Sequence, residues 1–210
     1  MILEINTSMY EKLPRSFYER GDVVKIAKEL LGMVLFTKIE GQLVAGRIVE
    51  TEAYCGRGDK ACHANNKRTP RTEVMYQRGG TAYVYLCYGI HHLFNVVTNT
   101  EGLADAVLIR ALEPIVGMEY MKERRNHPKG KLTSGPGTLS QAMGIKVSMS
   151  GVDLTGEEIW IGKPEGLKKI EITEDLRIGV DYAEEDALRP WRFVIKDNAF
   201  ASKKVKKKVR

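Results

Sequence analysis

The chain has 210 residues, 43% of them hydrophobic and 29% charged, with a formal net charge of +6. This length and balance describe a globular chain able to bury a substantial core, as one domain or one domain with extensions. A membrane-spanning helix is excluded, because no apolar run approaches the ~20 residues it would need.

Met1 to Asn6 shows no basic region followed by an apolar one. No secretory signal is therefore expected, and a cytoplasmic setting is. Cys55, Cys62 and Cys87 cannot all pair and form no CxxC unit, which favours reduced thiols over disulfides or a zinc site. Residues 203–210 carry six basic groups and no acidic one, and without them 27 basic residues face 27 acidic ones. The expected organisation is one domain over residues 1–202 followed by a flexible basic tail, 203–210. That tail either holds a polyanion loosely or serves only as a solvated end. Within the neutral body, residues 56–80 and 121–150 are basic, while acids concentrate in 151–200. Such a division suits phosphate-backbone binding if the blocks form faces.

In chain order, Asp22 caps a predicted helix to about Leu31, with Val23, Ile26, Ala27 and Leu30 on one side and Gly32 ending it. Residues 33–39 and 42–54 read as strands joined at Glu40-Gly41. Residues 55–80 are polar, Gly- and Arg-rich and weakly periodic, the signature of a functional loop. Residues 82–87 and 90–98 read as a hairpin with its tip at Tyr88-Gly89. Ala104–Leu112 reads as a buried strand interrupted by Arg110. Pro114 suits the first turn of a helix to about Arg125. Ser134-Gly135-Pro136-Gly137 introduces a short helix ending near Gly144, and 158–162, 169–173 and 190–195 read as short strands. The fold class is mixed α+β with mainly antiparallel strands.

Strict alternation puts Val44, Ile48, Glu50, Glu52 and Tyr54 on one side of their strand. The carboxylates are either a solvated strand end or a general base beside an aromatic surface. Arg110 in a buried strand needs an anionic partner, for which Glu50, Glu52 or a phosphate would serve. Asn95 within an apolar run is either a structural bridge or a specificity contact. His63 sits in the basic loop. His91 and His92 point to opposite faces of a strand, and no carboxylate or thiol lies at ligand spacing, so no metal site is expected. Cys62-His63 suggests thiol catalysis, but neighbours on an extended loop rarely aim at each other. Gly135-Pro136-Gly137 is either a phosphate-receiving helix start or a sharp turn.

These residues stand in ordered blocks: Arg47 to Tyr54, Asp59 to His63, Tyr83 to Gly89, Asn95 to Val97, Val107 to Pro114, Ser134 to Gly137, Arg177 to Val180 and Pro190 to Phe193. Over about residues 17–197 the chain thereby resembles the alkyladenine (3-methyladenine) DNA glycosylases of the vertebrate and bacterial single-domain type. The resemblance implies a single domain with a curved antiparallel sheet, flanking helices and a protruding DNA-binding hairpin. It also implies a monomeric enzyme without metal or cofactor, acting on double-stranded DNA that contains damaged purines. By position, Glu52 matches the general base and Arg110 the residue that helps hold its water. Tyr54, His63 and Tyr85 match the walls that stack on a flipped base. Tyr88 matches the wedge in the duplex, and Asn95 the pocket floor that crowds the guanine amino group.

The loop Asn65 to Thr72 lacks the family's usual glycine, Thr72 replaces a usual Asn, Cys62 replaces a small residue, and His91 stands at a site aromatic in the vertebrate enzymes. These departures bear on lesion preference rather than on the chemistry. The competing readings are a non-catalytic detector of distorted DNA and a small-molecule hydrolase using Cys62 or His63.

Overall fold

The computed structural model describes residues 9–202, so the basic tail at 203–210 lies outside the described residues. In chain order the elements are β1 (Tyr10–Lys12), α1 (Arg15–Tyr18), α2 (Val23–Glu29), β2 (Val34–Ile39), β3 (Gln42–Tyr54), β4 (Ala82–Cys87), β5 (His91–Thr98), β6 (Asp105–Val116), α3 (Met118–Arg124), α4 (Pro136–Met143), β7 (Ile159–Pro164), β8 (Ile172–Asp175) and β9 (Arg192–Ile195). All strand pairs are antiparallel, in the order β1-β7-β2-β3-β6-β5-β4, with β9 pairing both β3 and β8. The result is one domain of α+β class with a curled sheet.

Local chemistry sets the boundaries. Asp22 accepts a hydrogen bond from the Lys25 N–H at 2.9 Å and so starts α2. Val23, Ile26, Ala27 and Leu30 are buried together against the sheet, as their spacing predicts. Pro114, predicted to open a helix, lies inside β6 instead. It faces Gly46 beside a register shift, where a missing N–H is tolerated. The helix begins four residues later, at Met118, after Gly117 at φ +70°. The hairpin tip also differs from the expected two-residue turn. Cys87 pairs with His91, so Tyr88, Gly89 and Ile90 all belong to the turn, and Ile90 does not open β5. The strand expected at 169–173 forms later, as β8. The β1 strand and α1 helix carry too few residues to show a period.

The expectation that Val44, Ile48, Glu50, Glu52 and Tyr54 share a face is wrong, and the reason shapes the site. Ile48 pairs with Leu112, Glu50 with Ala111 and Thr51 with Ile109. Val49 is therefore an extra residue on β3, and Arg110 an extra residue on β6. These back-to-back bulges restore the register but turn each strand over, because one extra residue moves every later side chain to the other face. Val44 and Ile48 face the helical core, and beyond the bulge Ala53 joins them there, with Thr51 donating to the Ala27 carbonyl of α2 at 2.8 Å. Glu50, Glu52 and Tyr54 turn to the opposite side. Here β3 also changes partner, from β2 along its first half to β9 at Glu50–Glu52.

Candidate active site

The face so presented holds Tyr54 from β3, Tyr83 and Tyr85 from β4, Leu93 and Asn95 from β5, and Ala106, Leu108 and Arg110 from β6. They line a cleft of about 580 Å³, closed by the loop around His63 and by the stretch from Ile178 to Tyr182. Sequence period 2 on four neighbouring antiparallel strands brings these residues together.

Glu52 is fully buried just behind this lining. Its Oε1 accepts from the Ile178 N–H at 2.7 Å, and its Oε2 accepts from the Tyr54 hydroxyl at 2.7 Å and from Arg110 Nη1 at 3.2 Å. Three donors fix the plane of the carboxylate and leave part of its capacity of roughly four bonds unused. Arg110 also donates through Nε to Glu50 Oε1 at 3.0 Å. Of the candidate anions for Arg110, the structure thus selects both glutamates. Burial raises the Glu50 carboxyl, but Arg110, Ser202 and Arg192 outweigh it and hold the group below the usual carboxylate range. Burial, and then Glu52, push the Tyr54 phenol well above its ordinary value, so it stays a donor.

The aromatic walls are in mutual contact. The His63 and Tyr85 rings meet edge to face with centroids 4.6 Å apart, and Tyr83 and Tyr85 stack at 5.5 Å. His63 Nδ1 lies 3.1 Å from the Tyr83 hydroxyl. Burial, and then Arg71, pull the imidazole down to about 4, so it is neutral at pH 7. The Cys62 thiol is pushed up to about 12 by burial and approaches the Ala104 carbonyl rather than His63, an arrangement without an activated thiolate. Asn95 is buried, with Nδ2 donating to the Tyr83 and Leu93 carbonyls at 3.2 and 3.3 Å. It is therefore a structural bridge that also lines the cleft. Tyr88 stands apart from these walls: at φ +51° in the hairpin turn, it is 92% exposed. The turn around Gly135 borders the cleft, and Gly137 lies so close to His91 that an added Cβ would meet its ring at about 2.9 Å.

The loop cations are mostly spent within the protein. Arg57 pairs with Asp105, Lys60 with Glu184 and Glu185, Arg68 with Glu73, and Arg78 with Glu19. Among the described residues Lys67 and Arg71 form no ion pair, and both edge a crevice beside the cleft. Among the described residues no group of three His, Cys, Asp or Glu side chains is placed to hold a metal ion.

Sequence reasoning missed several supporting residues. Arg177 is clamped by both oxygens of Asp59 at 2.6 and 2.8 Å, and its guanidinium lies 4.9 Å from the centre of the Tyr54 ring. This pair sets both the ring and the neighbouring Ile178 N–H. Arg192 and Ser202 brace Glu50 from elsewhere in the chain. An arginine beside an apolar run, as in Arg177-Ile178-Gly179-Val180, was the one available signal.

Comparison with known proteins identifies the family. Residues 16–199 match the family model described as methylpurine-DNA glycosylase. A relative from Chlamydia felis is 50% identical over 199 residues, covering 92% of this chain and 100% of its own. One from Natranaerobius thermophilus is 48% identical, covering 91% and 98% of the two chains. One from Clostridium perfringens is 45% identical, covering 92% and 100%. Each is provisionally named a 3-methyladenine DNA glycosylase. With the model spanning most of its length and relatives matched nearly end to end, the chain belongs to the methylpurine-DNA glycosylase family.

Proposed function

We propose that this chain, acting as a monomer, flips alkylated or deaminated purines out of duplex DNA and hydrolyses their N-glycosidic bond, leaving an abasic site. The observation that carries the reading is Glu52, held by three donors immediately beneath an aromatic cleft. Glu52 deprotonates the water that attacks C1′ and balances the positive charge that develops on the sugar. Arg110 orients the carboxylate through its bond to Oε2. A base inside a duplex cannot present its glycosidic bond, so flipping must come first, at a cost of a few kcal/mol. Tyr88 fills the gap in the stack, while Tyr54, His63 and Tyr85 return roughly 1–3 kcal/mol per stacked base. An alkylated purine is cationic and already a good leaving group. It gains from electron-rich rings, and a neutral His63 does not repel it. A protein that only detected distorted DNA would have no use for a buried, triply bonded carboxylate.

The test is Glu52→Gln. The variant keeps the shape and most hydrogen bonds but cannot accept the proton. Single-turnover release of 3-methyladenine from methylated duplex DNA should fall by about 100-fold or more, with DNA binding retained. Release at the wild-type rate would remove Glu52 from the role of base.

A further inference from the structure

We propose that Ser202 is a positioning residue for this reaction, locking Glu50 and, through Glu50 and Arg110, the carboxylate of Glu52. The proposal rests on the reading of Glu52 as the base.

Glu50 is fully buried, and its two oxygens are served unequally. Oε1 accepts from Arg110 Nε at 3.0 Å, Arg192 Nη1 at 3.1 Å and the Ser202 hydroxyl at 2.6 Å. Oε2 accepts from the Ser202 N–H at 2.7 Å, its one donor among the described residues. Ser202 thus grips both oxygens and sets the angle at which Oε1 meets Arg110. The segment that carries it is in no strand or helix but is tied down along its length. Asn198 Nδ2 donates to Glu113 at 3.2 Å, Lys131 Nζ donates to the Ala199 carbonyl, and Ser134 donates to the Ala201 carbonyl at 3.1 Å. Ser202 lies beyond residue 199, where the family match ends.

The consequence is a relay of fixed geometry: Ser202 to Glu50, Glu50 to Arg110, Arg110 to Glu52. The charged groups facing Glu50 are Arg110 from β6 and Arg192 from β9. Behind them stand Glu52 from β3 and Asp175 from β8, the latter 2.6 Å from Arg192. Without the Ser202 hydroxyl the buried carboxylate loses a charge-assisted bond, and its protonated form is favoured relative to the present state. A protonated Glu50 would hold Arg110 Nε less tightly and so loosen the angle at which the guanidinium meets Glu52. The carboxylate state of Glu50 is the one present at higher pH, so any defect from losing Ser202 deepens as pH falls and closes as pH rises.

The experiment compares full-length Ser202→Ala and Ser202→Thr with wild type and Glu52→Gln. The readouts are single-turnover release of 3-methyladenine from about pH 5 to about pH 9, and equilibrium binding to the same duplex. Ser202→Ala should slow release roughly tenfold near neutral pH, the scale of one hydrogen bond to a charged group. The defect should widen toward acid, binding should be unchanged, and Ser202→Thr should restore both rate and profile. A wild-type rate and profile in Ser202→Ala, with Glu52→Gln inactive, overturns the role of Ser202 alone. A loss equal at every pH and not rescued by Thr also overturns it, since a mere strap would behave so. An active Glu52→Gln overturns the underlying reading as well.

Discussion

Replacing Arg110 by Met tests the buried charge network directly. Arg110 is 6% exposed and lies between Glu50 and Glu52, both fully buried. Methionine fills most of the space but leaves two buried carboxylates with, among the described residues, Arg192 as the one remaining cation bonded to either, through Glu50. Breaking a buried pair by removing one partner costs about 3–5 kcal/mol. For a domain of this size that corresponds to a fall in Tm of roughly 6–20 °C.

The pH dependence should also change sign. In the wild type, Glu50 is held below its ordinary range, so its contribution is present above the unfolded carboxylate value and is lost as pH falls. In Arg110→Met, Glu50 loses one of its two cations while its burial remains, so its carboxyl is driven up and takes up a proton that the unfolded chain does not. The variant therefore recovers stability on mild acidification, over a range where the wild type begins to lose it. Urea denaturation at two pH values measures both effects. Adding Glu50→Gln to Arg110→Met removes the excess charge and should recover most of the lost stability, but not base release. An Arg110→Met variant that unfolds within about 1 kcal/mol of wild type, or that Glu50→Gln leaves unrescued, refutes this account of the buried charges.

Two further outcomes are expected. Tyr88→Ala removes an exposed ring, so stability should stay within about 0.5 kcal/mol, while single-turnover base release falls at least tenfold; thermal melts and the release assay check the two halves. Asp59→Asn breaks the doubly bonded Arg177 pair and should cost about 3–5 kcal/mol in denaturant, with base release impaired because the Ile178 N–H loses its anchor.

The fold was legible where one strong local rule acted alone. Strand β3 appears at its predicted residues because Glu40-Gly41 and alternating β-formers both point to it, and α2 because Asp22 caps an apolar stripe. Pro114 misled because a bulge, invisible locally, supplies the missing tolerance in β6. Tyr54, His63, Tyr85 and Arg110 line one cleft, and Glu52 behind it bonds to Tyr54 and Arg110. Their supporters were harder to assign: Arg177 and Arg192 stand in the ordered blocks but, like Ser202, carry no periodic signal that shows which buried acid each meets. The charge blocks misled in a different way. Residues 56–80 suit phosphate binding only if their cations form a free face, yet Arg57, Lys60 and Arg78 pair with acids from other parts of the fold and Arg68 pairs with Glu73 within the block.

The paired bulges explain why two glutamates can occupy a strand that begins as core. A strand of uniform register would send Glu50 and Glu52 into the cluster around Ile48, where neither would find a donor. One extra residue on β3 turns them toward the cleft. The matching extra residue on β6 is Arg110 itself, so the cation arrives at the level of both acids while the ladder beyond it stays in register. Deleting Val49 alone would restore the strand's alternation and bury both carboxylates on the wrong face. By this argument the bulge is as necessary to the site as any side chain in it.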